Sequence, residues 1–191
     1  MNDALILEII SVLLSLLFLV LVIRENIWCW AFGILSSFIS IFLFVEAKLY
    51  SEAILYGFYV LIGFYGWYQW SYNKEENTYI KEWRINKHLV AISLGVLGIA
   101  GLGTFFKQQT DATVPYMDAS STMFSFIASY MEAHKILSTW IYWILINGFT
   151  IGLYLYKGLH IYASLMVIYF VMSFVGWFTW RKRFSIQSGL N

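Results

Sequence analysis

The chain has 191 residues, of which 60% are hydrophobic, 20% aromatic and only 12% charged, with a net charge of +1. A soluble domain averages about 25% charged residues, so this composition excludes a disordered chain, a fibre and an ordinary soluble globule, and points to a polytopic membrane protein. The lone Cys29 excludes an internal disulfide and a cysteine-based zinc site, the scattered His88, His134 and His160 offer no metal site, and the charge balance gives no argument for nucleic acid.

A helix crosses the hydrocarbon core with about 20 mostly apolar residues. The sequence predicts seven such spans. The first, Ala4–Ile23, is interrupted only by Glu8, and its basic flank Arg24 follows the apolar run, unlike a cleaved signal peptide. The second, Ile27–Val45, is uncharged. The third, Leu49–Trp70, has Glu52 near its start. A charged loop over 71–88 follows, carrying Lys74, Glu75, Glu76, Lys81, Glu82, Arg84 and Lys87. The fourth span, Leu89–Phe106, holds Gly95, Gly98, Gly101 and Gly103, and small residues at such spacing let helices approach closely. The fifth starts at Pro115, the only proline, which suits a first helical turn, and runs to about Ala133. The sixth is Leu137–Tyr156 and the seventh Leu159–Trp180, ended by the basic Arg181, Lys182 and Arg183.

Shifting the chain by 110 positions aligns Trp30 with Trp140, Leu49 with Leu159, Ala53 with Ala163 and Tyr59 with Tyr169. The same shift places Gly66-Trp67-Tyr68-Gln69-Trp70 on Gly176-Trp177-Phe178-Thr179-Trp180. Ile27–Trp70 has 13 identities in 44 ungapped pairs, too many for shared apolar bias. Residues 4–70 and 115–180 therefore read as two three-helix repeats. The linker helix, 89–106, restores the chain's direction, so the repeats run parallel, as in the SWEET sugar carriers. Loops after the odd-numbered spans carry nine Lys and Arg, the opposite side three. The positive-inside rule puts the N-terminus outside and the C-terminus, with the 71–88 loop, in the cytoplasm.

Polar residues inside a span are costly unless they face other helices or a water-filled path. On the fifth span Asp118, Thr122, Ser125 and Ser129 fall within about 60° at helical periodicity, one narrow polar stripe. On the sixth, Trp140, Trp143 and Asn147 share a face of about the same width, with Tyr154 alongside. Structural roles compete. Hydroxyls bond back to helix carbonyls, an acid in a first turn complements the helix dipole, and tryptophan anchors at interfaces. Asn147, mid-span with donors and acceptors to satisfy, is hardest to explain structurally. No Ser-His-Asp pattern, metalloprotease motif or phosphate loop is present, so no enzyme is expected. Facing aromatics with a few amides and hydroxyls suit a flat, polar, neutral or cationic solute.

The run Ala47-Lys48-Leu49-Tyr50, the block Tyr65-Gly66-Trp67-Tyr68-Gln69-Trp70, Pro115-x-x-Asp118 and Trp140-x-x-Trp143 followed by Asn147 resemble the Pnu family of bacterial vitamin transporters, above all its PnuC-type nicotinamide riboside branch. The resemblance covers about Ile27–Trp70 and on to Trp180. It implies an all-α, seven-helix 3+1+3 SWEET-like protein of the bacterial inner membrane, often a homotrimer set in lipid. It also implies facilitated diffusion of an unphosphorylated vitamin trapped by a kinase, with Trp140, Trp143 and Asn147 at the substrate site. Thr122, Ser125 and Ser129 would line the same path, and Asp118 would sit at its mouth or gate. Two positions depart from the family's pattern: Tyr56, in Ile54-Leu55-Tyr56, replaces the glutamine of Leu-Leu-Gln, and Ser36 replaces an asparagine. These candidate substrate contacts keep thiamine, carried by the PnuT-type branch, open as the solute. A membrane scaffold or receptor subunit that transports nothing is the alternative of another class.

Overall fold

The computed structural model describes residues 3–46, 50–72, 79–110, 113–158 and 160–189. Ala47, Lys48 and Leu49 of the family-like run, Lys74, Glu75 and Glu76 of the charged loop, and Leu159, the repeat partner of Leu49, lie outside the described residues. The described chain folds into seven helices: α1 (Asp3–Ile23), α2 (Trp28–Glu46), α3 (Tyr50–Tyr72), α4 (Ile85–Gln109), α5 (Pro115–Ala133), α6 (Thr139–Tyr156) and α7 (His160–Gln187). By length and composition α1, α2, α4 and α7 hold stretches apolar enough to cross a membrane. The other three are diluted by Tyr, Ser, Trp and Gly. Two ends differ from the sequence reading. Helix α4 starts at Ile85, not Leu89, and α7 continues past Arg181–Arg183 to Gln187. Basic side chains near a helix C-terminus favour its dipole, so they mark a membrane face without ending the helix.

The chain forms two compact units, Met1–Thr78 and Tyr79–Asn191. In the first, α2 packs against both α1 and α3; in the second, α5 packs on α4 and α6, and α7 on α6. Thus α2 is the middle member of α1–α2–α3, and α6 of α5–α6–α7.

The two triples share detail at the atomic level. Helix α1 ends with Glu25 in the left-handed region (φ 56°), and α5 with Lys135 (φ 51°). In the first turn Glu25 N–H donates to Val22 O and Asn26 N–H to Leu21 O; in the second, Lys135 N–H donates to Glu132 O and Ile136 N–H to Met131 O. This is the Schellman arrangement, which satisfies the orphan carbonyls of a helix end. Beyond each turn comes a sealed tryptophan. Trp30 meets Trp70 edge-on at 5.4 Å, and Trp140 meets Trp180 edge-on at 5.4 Å. A Cβ on Gly66 would collide with the Trp30 ring, and one on Gly176 with the Trp140 ring. The Gly-Trp-x-x-Trp spacing is therefore a packing joint: glycine admits the indole of the middle helix, and the second tryptophan, one turn on, closes over its edge.

The seam between α4 and α5 uses the expected small residues. Phe124 and Ile127 approach Gly95, Met123 approaches Gly98 and Tyr116 approaches Gly103, whereas Gly101 faces open space. Part of the charged loop is pinned, not solvated. Lys81 N–H donates to Lys135 O (2.9 Å), Leu137 N–H donates to Lys81 O (2.8 Å), and Ile80, buried, donates its N–H to Gln187 Oε1 (3.1 Å). Extended backbone answered by these partners needs no water there.

Candidate functional site

The stripe on α5 is buried along its length: Asp118, Thr122, Ser125 and Ser129 all lie inside. Its hydroxyls are distinctive. Ser120 and Ser121, on another face, donate back to the carbonyls of Tyr116 and Asp118. Among the described residues, Thr122, Ser125 and Ser129 form no hydrogen bond. The buried side-chain atoms without a partner among the described residues are the indole nitrogens of Trp30 and Trp140, so these three hydroxyl oxygens reach accessible surface, where water or a ligand can meet them. Three on one stripe describe a surface built for something other than the helix itself.

The stripe ends at both extremes in an acid. At the first turn Asp118 Oδ1 accepts from Lys157 Nζ at 2.6 Å, both side chains well buried. Lys157 follows the last turn of α6, so this pair ties the start of α5 to the end of α6. Near the other end is Glu132, only 3% exposed. Neither Lys157 nor Glu132 emerged from the sequence as a site residue. Glu132 lies within about 40° of Asp118 on the same helical face, and extending the periodicity one turn further would have found it. Lys157 is 39 positions from Asp118 and carries no local signal.

The three residues expected together on α6 have different surroundings. Trp140 is 0% exposed, held by Gly176 and Trp180 on α7, and its indole N–H has no partner among the described residues. In this conformation it offers no free ring face to a solute. Trp143 is half-buried, leaving part of its ring open. Asn147 is buried and donates from Nδ2 to Ser173 Oγ on α7 (3.1 Å), and Ser173 in turn donates to Tyr169 O (2.7 Å). Tyr154 is half-buried, edge-on to Tyr162 at 6.0 Å.

The two candidates in the first unit have local partners. Ser36 Oγ donates to Ser11 O (2.9 Å), and Ser11 Oγ reaches Ser40 Oγ at 2.7 Å, so this serine cluster joins α1 to α2. Tyr56 is half-buried between Phe44 (5.1 Å) and Tyr59 (5.4 Å) in an aromatic group shared by α2 and α3.

No group of His, Cys, Asp or Glu that could hold a metal occurs among the described residues. The arrangement in the second unit comprises a half-open indole, a buried amide, three unbonded hydroxyls and two acids, one ion-paired. It can stack, hydrogen-bond and neutralise a small solute, but holds no nucleophile–base pair for covalent chemistry.

Comparison with known proteins agrees. The crystal structure of the vitamin B3 transporter PnuC shares the fold with a TM-score of 0.79 at 20% identity, over 96% of this chain and 84% of that one. Comparison with curated proteins found no match. The model of the family described as nicotinamide mononucleotide transporter matches residues 5–182. A match over nearly the whole chain, on a helical scaffold with polar residues buried inside it, makes the protein a multi-pass membrane transporter, not an enzyme: the chain belongs to the nicotinamide mononucleotide transporter family.

Proposed function

We propose that the protein carries nicotinamide riboside across the bacterial inner membrane by facilitated diffusion, with an intracellular kinase trapping the product. What supports this reading is the pair of polar faces on two helices that pack together in the second unit: Trp143 and Asn147 on α6, and the unbonded hydroxyls of Thr122, Ser125 and Ser129 on α5. A half-open indole suits a flat cationic ring, and amide and hydroxyls suit a ribose. An unphosphorylated solute is favoured over a mononucleotide. Phosphate is recognised by free Arg or Lys, and Lys157, beside the start of the stripe, is already neutralised by Asp118. Asp118 and Lys157 together form the mouth, and Trp140 is the wall on which Trp143 and Asn147 are positioned.

The two triples, built around equivalent turns and Gly–Trp joints, support a 3+1+3 SWEET-like arrangement of parallel repeats with α4 as linker. The Lys and Arg asymmetry supports an outside N-terminus and a cytoplasmic C-terminus. A homotrimer in lipid follows from the family resemblance. Thiamine is the second reading, favoured by Ser36 and Tyr56 where amides are usual; both solutes are flat cations.

Proteoliposomes given a nicotinamide riboside gradient and no ion gradient should equilibrate the solute. Accumulation well above equilibrium without a kinase, abolished by an ionophore, refutes facilitated diffusion. Equilibration of thiamine but not nicotinamide riboside selects the second reading.

A further inference from the structure

A serine or threonine inside a helix often turns its hydroxyl back to a carbonyl of the same helix. Thr104, Thr110 and Thr179 do so, donating to Ala100 O (2.6 Å), Phe106 O (2.7 Å) and Val175 O (2.7 Å). Thr150, in the second half of α6, does not. It is only 7% exposed, yet among the described residues its hydroxyl forms no hydrogen bond and leaves Ile146 O, four residues back, alone. Nor is the oxygen sealed in, as the indole nitrogens of Trp30 and Trp140 are; it reaches accessible surface. The neighbours of α6 show which way that surface faces. Trp140 and Asn147 are held by α7, through Gly176, Trp180 and Ser173. Thr139 is held by α5, donating to Ala128 O at 2.8 Å. At helical periodicity Asn147 and Thr139 lie about 80° apart, and Trp143, Thr150 and Tyr154 fall between them, within about 40° of one another. Thr150 therefore shares with the half-open ring of Trp143 the strip of α6 that looks between α5 and α7. The unbonded stripe of α5 is turned away from α4, because Tyr116, Met123, Phe124 and Ile127, which meet the glycines of α4, occupy the opposite side of that helix.

We propose that Thr150 is a solute-binding residue whose hydroxyl hydrogen-bonds a hydroxyl group on the part of the solute remote from its flat ring. This rests on the vitamin reading above and deepens it. Seven residues of helix rise about 10 Å, so a ring against Trp143 and a hydroxyl reaching toward Thr150 are held two turns apart, with Asn147 between them. Both candidate solutes have that form: nicotinamide riboside carries its hydroxyls on the ribose, and thiamine carries one on its hydroxyethyl arm. A hydroxyl both donates and accepts, so Thr150 answers either sense of bond, and does so without a charge having to be buried.

Thr150→Val removes the hydroxyl and keeps the branched shape, whereas Thr150→Ser keeps the hydroxyl. Binding of nicotinamide riboside, thiamine and 1-methylnicotinamide, which has a cationic ring and no hydroxyl, is measured by calorimetry on the purified full chain. Thr150→Val should weaken whichever vitamin the parent binds by about three- to tenfold, and Thr150→Ser should stay within about twofold of the parent. The parent and Thr150→Val should treat 1-methylnicotinamide alike. Because the hydroxyl has no protein partner, Thr150→Val should also unfold at the parent's temperature or above it. No loss of vitamin affinity in Thr150→Val, an equal loss for 1-methylnicotinamide, or an equal loss in Thr150→Ser overturns the proposal. Failure of the vitamin reading shows differently: the parent then binds neither nicotinamide riboside nor thiamine. In that case, or if Thr150→Val does not purify as a folded protein, thiol accessibility decides. In a Cys29→Ala background, Thr150→Cys should react with a small water-soluble methanethiosulfonate about tenfold faster than Thr139→Cys, since Thr139 is 0% exposed and bonded across to α5. Faster reaction supports Thr150 as a residue lining a solute path, and equal rates overturn it.

Discussion

Replacing Asn147 with leucine separates binding from folding more cleanly than any other substitution at the site. An asparagine amide offers two N–H donors and a carbonyl. Ser173 Oγ takes one N–H at 3.1 Å, leaving one donor and the carbonyl to be oriented toward a solute. Each neutral hydrogen bond contributes about 0.5–1.5 kcal/mol net, so losing two costs about 1–3 kcal/mol, or about five- to a hundredfold in affinity. The fold should tolerate the change. Ser173 keeps its own donation to Tyr169 O at 2.7 Å, so no buried donor is orphaned, and leucine has similar volume and is at home in a helix interior. Calorimetry of the purified variant with nicotinamide riboside and with thiamine reads the first effect, and thermal unfolding followed by tryptophan fluorescence reads the second. Ser173→Ala is the matched control: it leaves the amide in place but frees its orientation, and should weaken binding by only a few-fold. If folded Asn147→Leu binds as tightly as a parent that binds either vitamin, Asn147 is a packing residue and the reasoning fails.

Three further outcomes follow. Lys157→Gln strands a buried Asp118 carboxylate and should destabilise by about 3–5 kcal/mol, whereas Asp118→Asn with Lys157→Gln together should recover most of that loss in thermal unfolding. Gly176→Ala drives a methyl into the sealed Trp140 ring and should cost about 1–3 kcal/mol; Gly152→Ala, with open space at its Cβ, should be neutral or slightly stabilising by the same assay. Cysteines introduced at Ser71 and Ser188 should stay unlabelled by a membrane-impermeant reagent in intact cells, and labelling of either defeats the proposed orientation.

Much of the scaffold was legible in the residues because it rests on periodicity and local chemistry. Apolar runs set the helices, Pro115 marked the start of α5, and the 110-residue shift picked out Trp30 with Trp140 and Gly66 with Gly176, which occupy like joints. The stripe on α5 was legible for the same reason, since one helix's angular arithmetic needs no knowledge of its neighbours. What lay hidden is what two helices decide jointly. Trp140 and Trp143 sit about 60° apart on α6, a difference the sequence cannot weigh. Yet the neighbours treat the two differently: Trp140 is sealed by Gly176 and Trp180 of α7, while Trp143 stays half-buried. On α7 Trp180 is the sealed indole, whereas Trp177 is half-buried, with the Arg181 guanidinium 5.8 Å above its ring. Ser36 stood as a candidate contact because it replaces the asparagine usual in the family; its hydroxyl donates to Ser11 O on α1, a pairing the resemblance carries no sign of.

The hairpin of α5 and α6 is fastened at each of its ends. At one, the Schellman turn leaves its last carbonyls satisfied, and Thr139 Oγ1 donates back to Ala128 O at 2.8 Å. At the other, Lys157 grips Asp118. Two rods bolted together at both tips cannot splay like a pair of scissors; they tilt as one lever. A carrier working by exposing a site first to one side and then to the other must then place its compliance outside this hairpin, beyond Gly158, whose φ of 73° closes α6 in a turn that glycine adopts without strain.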